Sequence, residues 1–549
     1  MKEKISNKQW ALIYVAAWVL LNLVLSTFTD LAEDEAYYWL FAKFLDWGYF
    51  DHPPMIAVMI KAGGWLFPAE LGVRFFTVIF SGLTLYLLFY ISEFKNMKLM
   101  FLLFLSSPAF QAFGFISAPD VPLMFFGTLY LLFFKRFMEN DSLKNSLLLG
   151  VVAALMMYSK YHGILLILFT LLPNIKLITR RSFWIMTLIA IVLFLPHIWW
   201  QIQNDYPSLQ YHLVDRVNRA YELKFTTQYL LGQFAFCGPV LFLLFFRFIG
   251  TTSSPFYKTI KWAGLSVFLF FLLFSFRTFI EANWGAAGYI PMILFVHSCV
   301  KTDLAKAWKI ALYTVVFALL LLRIVLMFPN DIIGFSVVKQ FYRDKDLHPE
   351  IHKMAGDLPV VFLNTYQKPS KYYFYFGSPA FTLNSYWYRR NQFDKWPIQR
   401  DLQGKTVMML ATDNFEGAKL LKTKAADIYY AEKPIFKSYG YIQLTVGKKE
   451  FEISEHQSLR DTLVIKNVWE KELSYDSTKI EIGVLVRKIG SESVFKVADI
   501  SEKDLRSGHK IPFEIPALLA KGEYQLIFGI KDNISLILWN SPIYKLTVK

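Results

Sequence analysis

The chain has 549 residues, of which 55% are hydrophobic and only 18% are charged, and its formal net charge is +15. Soluble proteins carry about 25% charged residues, so this composition excludes an ordinary soluble protein. Up to about position 328 the apolar residues form runs of about 18–24, the length that a helix needs to cross a bilayer. The two cysteines, Cys237 and Cys299, fall inside apolar runs and predict neither a disulfide framework nor a metal site.

Hydropathy predicts about eleven membrane-spanning segments, the first of them close to the N-terminus. Because no small-residue cleavage site follows this first run, it indicates a retained span rather than a signal peptide. The predicted spans lie near residues 10–28, 72–92, 97–116, 120–137, 144–159, 161–178, 182–200, 227–249, 260–280, 284–300 and 307–328.

Basic residues in the loops predict the orientation. With the N-terminus inside, the inner loops hold about 17 basic and about 5 acidic residues, whereas the outer loops before position 285 hold more acids than bases. This bias accounts for the positive net charge better than nucleic-acid binding does. An odd number of spans then places the C-terminal part outside.

The first outer loop, residues 29–71, is long and contains two predicted helices. Apolar residues recur at helical spacing from Glu33 to Asp46, which predicts an amphipathic helix lying on the membrane surface. Pro53 and Pro54 then open a second short helix, since proline suits a first turn.

The C-terminal part has a different pattern. Residues 345–430 alternate strand-like runs with helical stretches, which predicts a small α/β unit, and residues 435–549 read as short alternating strands of a β-sandwich. We therefore expect a polytopic α-helical membrane domain at 1–330, an outer-face α/β domain at 331–432 and a β-sandwich-like domain at 433–549.

Candidate functional residues begin in the first outer loop. Asp34 and Glu35 are adjacent carboxylates at a membrane boundary, where desolvation and like-charge crowding favour a general base. The alternative is a solvated acidic cap on a helix N-terminus. In the DHPP motif, Asp51 and His52 precede a helix N-terminus that could meet a phosphate, although Pro-Pro also marks an ordinary turn.

Further candidates lie at the outer ends of later spans. Asp120 is an ionisable residue near membrane depth, which favours a function over simple helix capping. Lys160 lies on the side that basic residues avoid, so an anionic lipid phosphate explains it better than snorkelling does. Tyr161 and His162 add further donors beside it.

The last candidate motif is EANWGAAGY, which begins at Glu281. Glu281 and Asn283 could hold sugar hydroxyls and Trp284 a sugar face, while an interfacial aromatic belt is the alternative. All of these candidates fall on the outer ends of spans that are far apart in sequence. That arrangement is typical of a membrane enzyme with one outward-facing cavity.

The motifs DEAYYW, GYFDHPPM, SAPDVPLMFF, SKYHG and QNDYPSLQYH, in this order, resemble those of the polyprenyl-phosphate-dependent GT-C glycosyltransferases. That superfamily includes the protein O-mannosyltransferases and the aminoarabinose transferases that modify lipid A. The resemblance covers roughly residues 10–330. It implies the GT-C fold, a bacterial inner membrane and an active site on the periplasmic side.

The resemblance also implies roles for individual residues. Asp34 would be the general base with Glu35 beside it, and Asp120 the second acidic residue of the cavity. Lys160 would contact the donor phosphate, with His52 where relatives have histidine or lysine. The remaining implied contacts are with phosphate for His162 and with substrate for Tyr37, Asp51, Tyr161, Glu281, Asn283 and Trp284.

These roles predict an inverting transfer of a sugar from polyprenyl phosphate to an envelope acceptor, which could be lipid A, another glycolipid, a glycan or a protein. No phosphate-binding nucleotide motif follows a strand, no cofactor is certain, and a divalent metal is possible without being implied. Membrane lipid, the lipid-linked donor and the acceptor are the expected partners of a monomer, with no nucleic acid. The alternatives are a transporter or flippase of lipid-linked sugars, which should show inverted repeats and broken midplane helices, and a non-catalytic envelope assembly protein.

Overall fold

The computed structural model describes residues 6–216, 221–252, 254–301, 303–328, 341–342, 347–423, 426–469, 477–488, 491–517, 519–531 and 536–549. The chain divides into two compact units, Met1–Tyr342 and Arg343–Lys549. The first unit is helical, and the second holds the described strands. The predicted boundary at residue 330 lies outside the described residues, and the predicted one near residue 432 falls inside the second unit and stays a prediction.

The helices of the first unit follow one another with short connections, as expected where each helix packs on its neighbours. They are α1 Asn7–Phe28, α2 Glu33–Lys43, α3 Met55–Leu66, α4 Ala69–Ile91, α5 Met97–Leu105, α6 Pro108–Ala112, α7 Asp120–Glu139, α8 Leu143–Ser159, α9 Gly163–Leu171, α10 Arg181–Gln203, α11 Pro207–Gln210, α12 Leu223–Cys237, α13 Pro239–Phe248, α14 Pro255–Phe274, α15 Ala286–Cys299 and α16 Lys306–Leu326. Short 3-10 segments cover Leu172–Thr179 and Ala282–Gly285, and a π-helical turn covers Tyr211–Asp215.

Six of the described helices, α1, α4, α7, α10, α14 and α16, are long and apolar enough to cross a membrane. The pair α12 and α13, bent by 99°, adds a seventh span if it is taken as one. The bend lies at Gly238, whose φ is +104°, and a β-carbon there would lie 2.7 Å from the backbone oxygen of Ser106. The other predicted spans coincide with shorter or interrupted helices: α5 with α6, α8, α9 with the following 3-10 segment, and α15.

The two predicted helices of the first outer loop are present as α2 and α3. The expectation of a one-sided surface helix for α2 is wrong, because its buried residues, Glu35, Ala36, Tyr37, Tyr38, Leu40, Phe41 and Ala42, occupy positions all round the helix. Successive helical residues are rotated by about 100°, so such a run leaves no continuous polar face. The helix is therefore an internal element that can position side chains.

The described residues of the second unit form three sheets. A five-stranded sheet has the strand order β2 (Ala380–Leu383), β1 (Val360–Leu363), β3 (Val407–Ala411), β5 (Asp427–Lys433) and β4 (Lys419–Lys422), with β1 parallel to both of its neighbours. Three helices accompany it: α17 Leu347–Ala355, α18 Gln367–Phe376 and α19 Ile398–Leu402. The mixed sheet with helices matches the predicted α/β pattern.

The remaining strands form sheets of five and three strands. Phe513 of the smaller sheet contacts Phe528 of the larger one, with ring centroids 4.9 Å apart, so the two sheets share a core as predicted for a sandwich. These strands are β6 Ile442–Val446, β7 Glu450–Ile453, β8 Leu459–Asn467, β9 Lys479–Lys488, β10 Ser491–Ser501, β11 Lys510–Ile515, β12 Gly522–Lys531 and β13 Tyr544–Val548.

Candidate active site

Three of the residues singled out from the sequence meet at one end of the helices. Asp120 is the first residue of α7, Lys160 follows the last residue of α8, and Asn283 lies in the 3-10 turn before α15. Lys160 Nζ lies 2.8 Å and 2.9 Å from the two carboxylate oxygens of Asp120, and Asn283 Nδ2 donates to Asp120 Oδ2 at 3.0 Å. Lys160 is 4% exposed and Asp120 is 1% exposed. The carboxylate also benefits from the positive end of α7.

An aromatic ring joins this ion pair to further basic groups. The ring of Trp284 lies 5.0 Å from that of His162 and 6.3 Å from that of His212. The guanidinium carbon of Arg216 lies 4.7 Å from the Trp284 ring centroid, within cation–π distance. His162 Nδ1 is buried and has no hydrogen-bond partner among the residues described. The cluster thus offers cationic and hydrogen-bonding groups around one indole.

Residues of the DHPP motif reach the same cluster through His212. His212 Nε2 lies 3.0 Å from the backbone oxygen of Asp51, and its ring lies 6.5 Å from that of His52. On the other side, the His212 ring lies 6.0 Å from that of Tyr161. Tyr161 is held in turn by hydrogen bonds of 2.9 Å to His197 Nε2 and from Gln201 Nε2. Four separated segments therefore converge here.

Burial makes His212 a neutral group at physiological pH. Desolvation of its ring lowers the pKa to about 4, and the nearby charges of Arg216 and Lys160 act in the same direction. The backbone oxygen of Asp51 and the Asp51 carboxylate raise the pKa, but by less than burial lowers it. A neutral imidazole can accept one hydrogen bond and donate another, whereas an imidazolium can only donate hydrogen bonds.

The two adjacent carboxylates of α2 lie in different environments. Asp34 is exposed, whereas Glu35 has no exposed surface. Arg74 of α4 donates to Glu35 at 2.8 Å and 2.6 Å from Nε and Nη2, and the backbone N–H groups of Ala32 and Ser117 each donate at 2.8 Å. Four hydrogen bonds therefore fix the Glu35 carboxylate between α2, α4 and the segment before α7.

Tyrosines of α2 connect this helix to the rest of the site. Tyr37 donates its hydroxyl to Asp51 Oδ1 at 3.1 Å, and the Tyr38 hydroxyl lies 3.4 Å from His52 Nε2. At the outer edge, Arg216 Nη2 donates to Glu281 at 3.2 Å in an exposed ion pair. In the described part of the chain, no group of three or more His, Cys, Asp or Glu side chains is arranged to hold a metal ion.

Comparison with known proteins gives three concordant findings. The family model of the dolichyl-phosphate-mannose-protein mannosyltransferases matches residues 51–200. The lipid A galacturonosyltransferase RgtD of Rhizobium johnstonii is 22% identical over 474 residues, which cover 80% of this chain and 97% of the relative. The crystal structure of ArnT from Cupriavidus metallidurans bound to undecaprenyl phosphate superposes with a TM-score of 0.56 at 12% identity, covering 77% of this chain and 98% of that one, and its apo form gives 0.55 at 13% identity.

The chain has a GT-C fold, and these similarities indicate a glycosyltransferase. The predicted fold class, enzyme class and multi-pass membrane character of the chain are thereby confirmed. The part played by each predicted site residue stays a prediction.

Sequence reasoning missed three residues that complete the geometry of the candidate site. Arg74 pairs with Glu35, while His212 and Arg216 flank Trp284. His212 ends the QNDYPSLQYH motif, so its position was available as a signal, and Arg216 follows one helical turn later. Arg74 lies at the predicted outer end of the span at 72–92, so the argument that selects Lys160 was also a signal for Arg74.

Proposed function

We propose that this GT-C glycosyltransferase transfers a sugar from a polyprenyl-phosphate donor to an acceptor in the cell envelope, with its active site on the periplasmic side of the bacterial inner membrane. The observation that carries the proposal is the buried Lys160–Asp120–Asn283 cluster beside Arg216 and the histidines. The similarity to an ArnT structure that contains undecaprenyl phosphate, and to a lipid A galacturonosyltransferase, supports the choice of donor and of envelope acceptor.

Lys160 and Arg216 are the proposed contacts for the donor phosphate. Arg216 contacts the ring of Trp284, and both cations lie near His162 and His212. Lys160 is buried in a low-dielectric environment, where it stabilises an anion strongly. As the sugar leaves, charge builds up on the phosphate oxygen that held it. Because polyprenyl phosphate is a stable anion, the reaction needs this electrostatic stabilisation more than it needs a general acid.

Asp120 and Asn283 are proposed to position Lys160 rather than to react. Two of the three ammonium hydrogens are directed at the Asp120 carboxylate, and Asn283 holds that carboxylate from the other side. Glu281, which pairs with Arg216, and Tyr161, which lies near His212, are the proposed contacts for sugar hydroxyl groups beside Trp284. Orientation of the donor by such contacts contributes to the rate because the entropy of orienting it is lost on binding and no longer adds to the barrier of the reaction.

Asp34 is proposed as the general base that takes the proton from the acceptor hydroxyl. The oxygen of that hydroxyl attacks the anomeric carbon, and the bond from this carbon to the phosphate oxygen breaks. The configuration at the anomeric carbon is thereby inverted. Of the two adjacent carboxylates, Asp34 is the exposed one, and the four hydrogen bonds of Glu35 support our proposal that Glu35 anchors α2. Anchoring fixes the position of Asp34 one residue earlier.

The experiment is a transfer assay with purified protein in lipid, a panel of polyprenyl-phosphate sugars and native envelope lipids as acceptors, followed by mass spectrometry of released polyprenyl phosphate. Asp34→Asn should lower turnover by about 100-fold or more, the usual contribution of a general base. Glu33→Gln, which neutralises the neighbouring carboxylate in the same turn, is the matched control and should retain activity. Normal turnover by Asp34→Asn would refute the assignment.

A second arm tests the donor site. Lys160→Met should lower kcat/KM for the donor by about 10-fold or more, since a charge-assisted hydrogen bond contributes about 1.5–3 kcal/mol. Release that depends on Lys160 but not on Asp34 would keep the donor site and reject the base. Folded protein that releases nothing from any donor would reject the transferase proposal for these substrates.

A further inference from the structure

A second polar site lies at the opposite end of the helices from the candidate active site. Two helices connect the ends: α4 begins five residues before Arg74 and ends next to Ser92, and α15 begins beside Trp284 and ends beyond His297. Because an α-helix rises about 1.5 Å per residue, the 23 residues of α4 separate the two ends by about 34 Å. Ser92 and His297 line a cavity of about 760 Å³ there, which we name the basal cavity.

The basal cavity has an excess of positive charge. Four lysines and two acidic residues line it. Lys95 pairs with Glu93 at 2.6 Å, and Lys309 pairs with Asp303. The remaining two lysines, Lys98 and Lys301, have no carboxylate within ion-pair distance in the part of the chain that the structure describes, and both are exposed to the cavity and solvent.

Two helix N-termini add to this potential. Residues at the start of α5 (Asn96 and Lys98) and on the approach to α16 (Asp303 and Leu304) line the cavity. Neither helix has a side-chain cap, so the N–H groups of the first turn are left to other acceptors. Helix N-termini carry a partial positive charge and are favourable sites for phosphate.

The cavity becomes apolar further along the same two helices. Leu102 lies one turn beyond Lys98 on α5, and Leu312 lies one turn beyond Lys309 on α16. Side chains spaced by three or four residues share a helix face, so each helix presents a cation at the rim and a leucine deeper in. This order matches an amphiphile with a charged head and a hydrocarbon tail, and the volume is in the range of ligand sites.

We infer that the basal cavity binds an anionic phospholipid of the leaflet at that end of the helices, with the phosphate against Lys98 and Lys301 and a chain along Leu102 and Leu312. A free phosphate compound shares the charge but not the tail, so the leucines favour the lipid. The inference does not depend on the proposed transfer reaction, because none of these residues belongs to the candidate active site.

The test is a binding measurement on the full-length protein in neutral detergent, using native mass spectrometry with phosphatidylglycerol, phosphatidylcholine and glycerol 3-phosphate as probes. Lys98→Gln/Lys301→Gln should weaken phosphatidylglycerol binding by about 30-fold, which corresponds to about 2 kcal/mol for two lysines near a lipid phosphate. Lys258→Gln/Lys306→Gln removes two charges at the same end outside the cavity lining and should keep wild-type binding. Lys301→Gln alone, in a loop, gives a milder variant with an expected loss of about 5-fold.

Four outcomes decide the inference. Selective loss of phosphatidylglycerol binding in the cavity variants supports it, and so does a preference for phosphatidylglycerol over phosphatidylcholine. Equal losses in the cavity and control variants would mean a general charge effect and would overturn it. Equally tight binding of glycerol 3-phosphate would replace the lipid by a soluble phosphate compound and would also overturn it.

Discussion

Glu35 should be essential for the fold, and the size of its contribution follows from its contacts. Glu35→Ala removes both hydrogen bonds that Arg74 makes to the carboxylate and leaves the N–H groups of Ala32 and Ser117 without this acceptor. Because Glu35 and Arg74 have no exposed side-chain surface, the guanidinium would stay buried without this carboxylate, although it keeps its hydrogen bonds to the backbone oxygens of Thr29 and Asp30. Breaking a buried ion pair in this way costs about 3–5 kcal/mol, so we expect the free energy of unfolding to fall by about 4 kcal/mol.

A double-mutant cycle separates the pair from its surroundings. The cycle compares Glu35→Met, Arg74→Met and the double variant. The double variant removes both charges, so its loss should be smaller than the sum of the two single losses by about 2 kcal/mol or more. The assay is denaturant unfolding in mixed micelles. Glu70→Gln, a carboxylate one turn before Arg74 on α4, is the control and should change stability by less than about 1 kcal/mol. Additive losses, or a loss below about 1 kcal/mol for Glu35→Ala, would refute the reasoning.

Three further predictions concern packing, pH and the buried lysine. Gly63→Ala should destabilise the protein by about 1–3 kcal/mol because its β-carbon would lie 2.1 Å from the backbone oxygen of Gly72. The β-carbon of the control variant Gly64→Ala would meet nothing within 4 Å, so this variant should be neutral or stabilising. Equal shifts of the melting temperature in the two variants would contradict this. The pKa of His212 is lowered to about 4 in the folded protein, so the unfolded state takes up a proton at a higher pH than the folded state does. The free energy of unfolding should therefore be constant above about pH 6.5 and fall between about pH 6.5 and 4 by up to about 1.4 kcal/mol per pH unit. His212→Asn should flatten this slope when unfolding is measured against pH. Asp120→Asn should raise the KM for the donor more than it lowers kcat, because Lys160 keeps its charge but loses the carboxylate that positions it. Asp120→Glu should restore part of the loss. An unchanged KM in steady-state assays would argue against this positioning role.

Several features of the candidate site could be predicted from the sequence. A lysine on the predicted outer side of a span, as at Lys160, is unfavourable unless it is paired or functional, so the charge pattern alone selects it as a candidate. The same argument selects Asp120 at the end of a span. Their mutual pairing could not be predicted, because 40 residues and two helices separate them and only packing brings the helix ends together.

The adjacent carboxylates Asp34 and Glu35 illustrate the limit of local pattern. Both are carboxylates at the same predicted membrane boundary, and the sequence predicted a catalytic role for both. A rotation of about 100° between successive helical residues directs Glu35 towards Arg74, 39 residues away. The proposed anchoring role of Glu35 rests on this partner, which comes from another helix.

The sequence by itself determined that this protein spans a membrane and that a strand-rich part follows the helices, and it predicted the end of the helices at which the candidate site lies. Those features depend on hydropathy, on the placement of basic residues in the loops and on the periodicity of apolar residues, which are properties of contiguous residues. Only the tertiary structure decided that α2 is internal, that Glu35 is clamped by Arg74, and that His212 and Arg216 join Trp284. These depend on which distant helix faces pack together, and a buried charge selects its partner by proximity in three dimensions rather than by spacing along the chain.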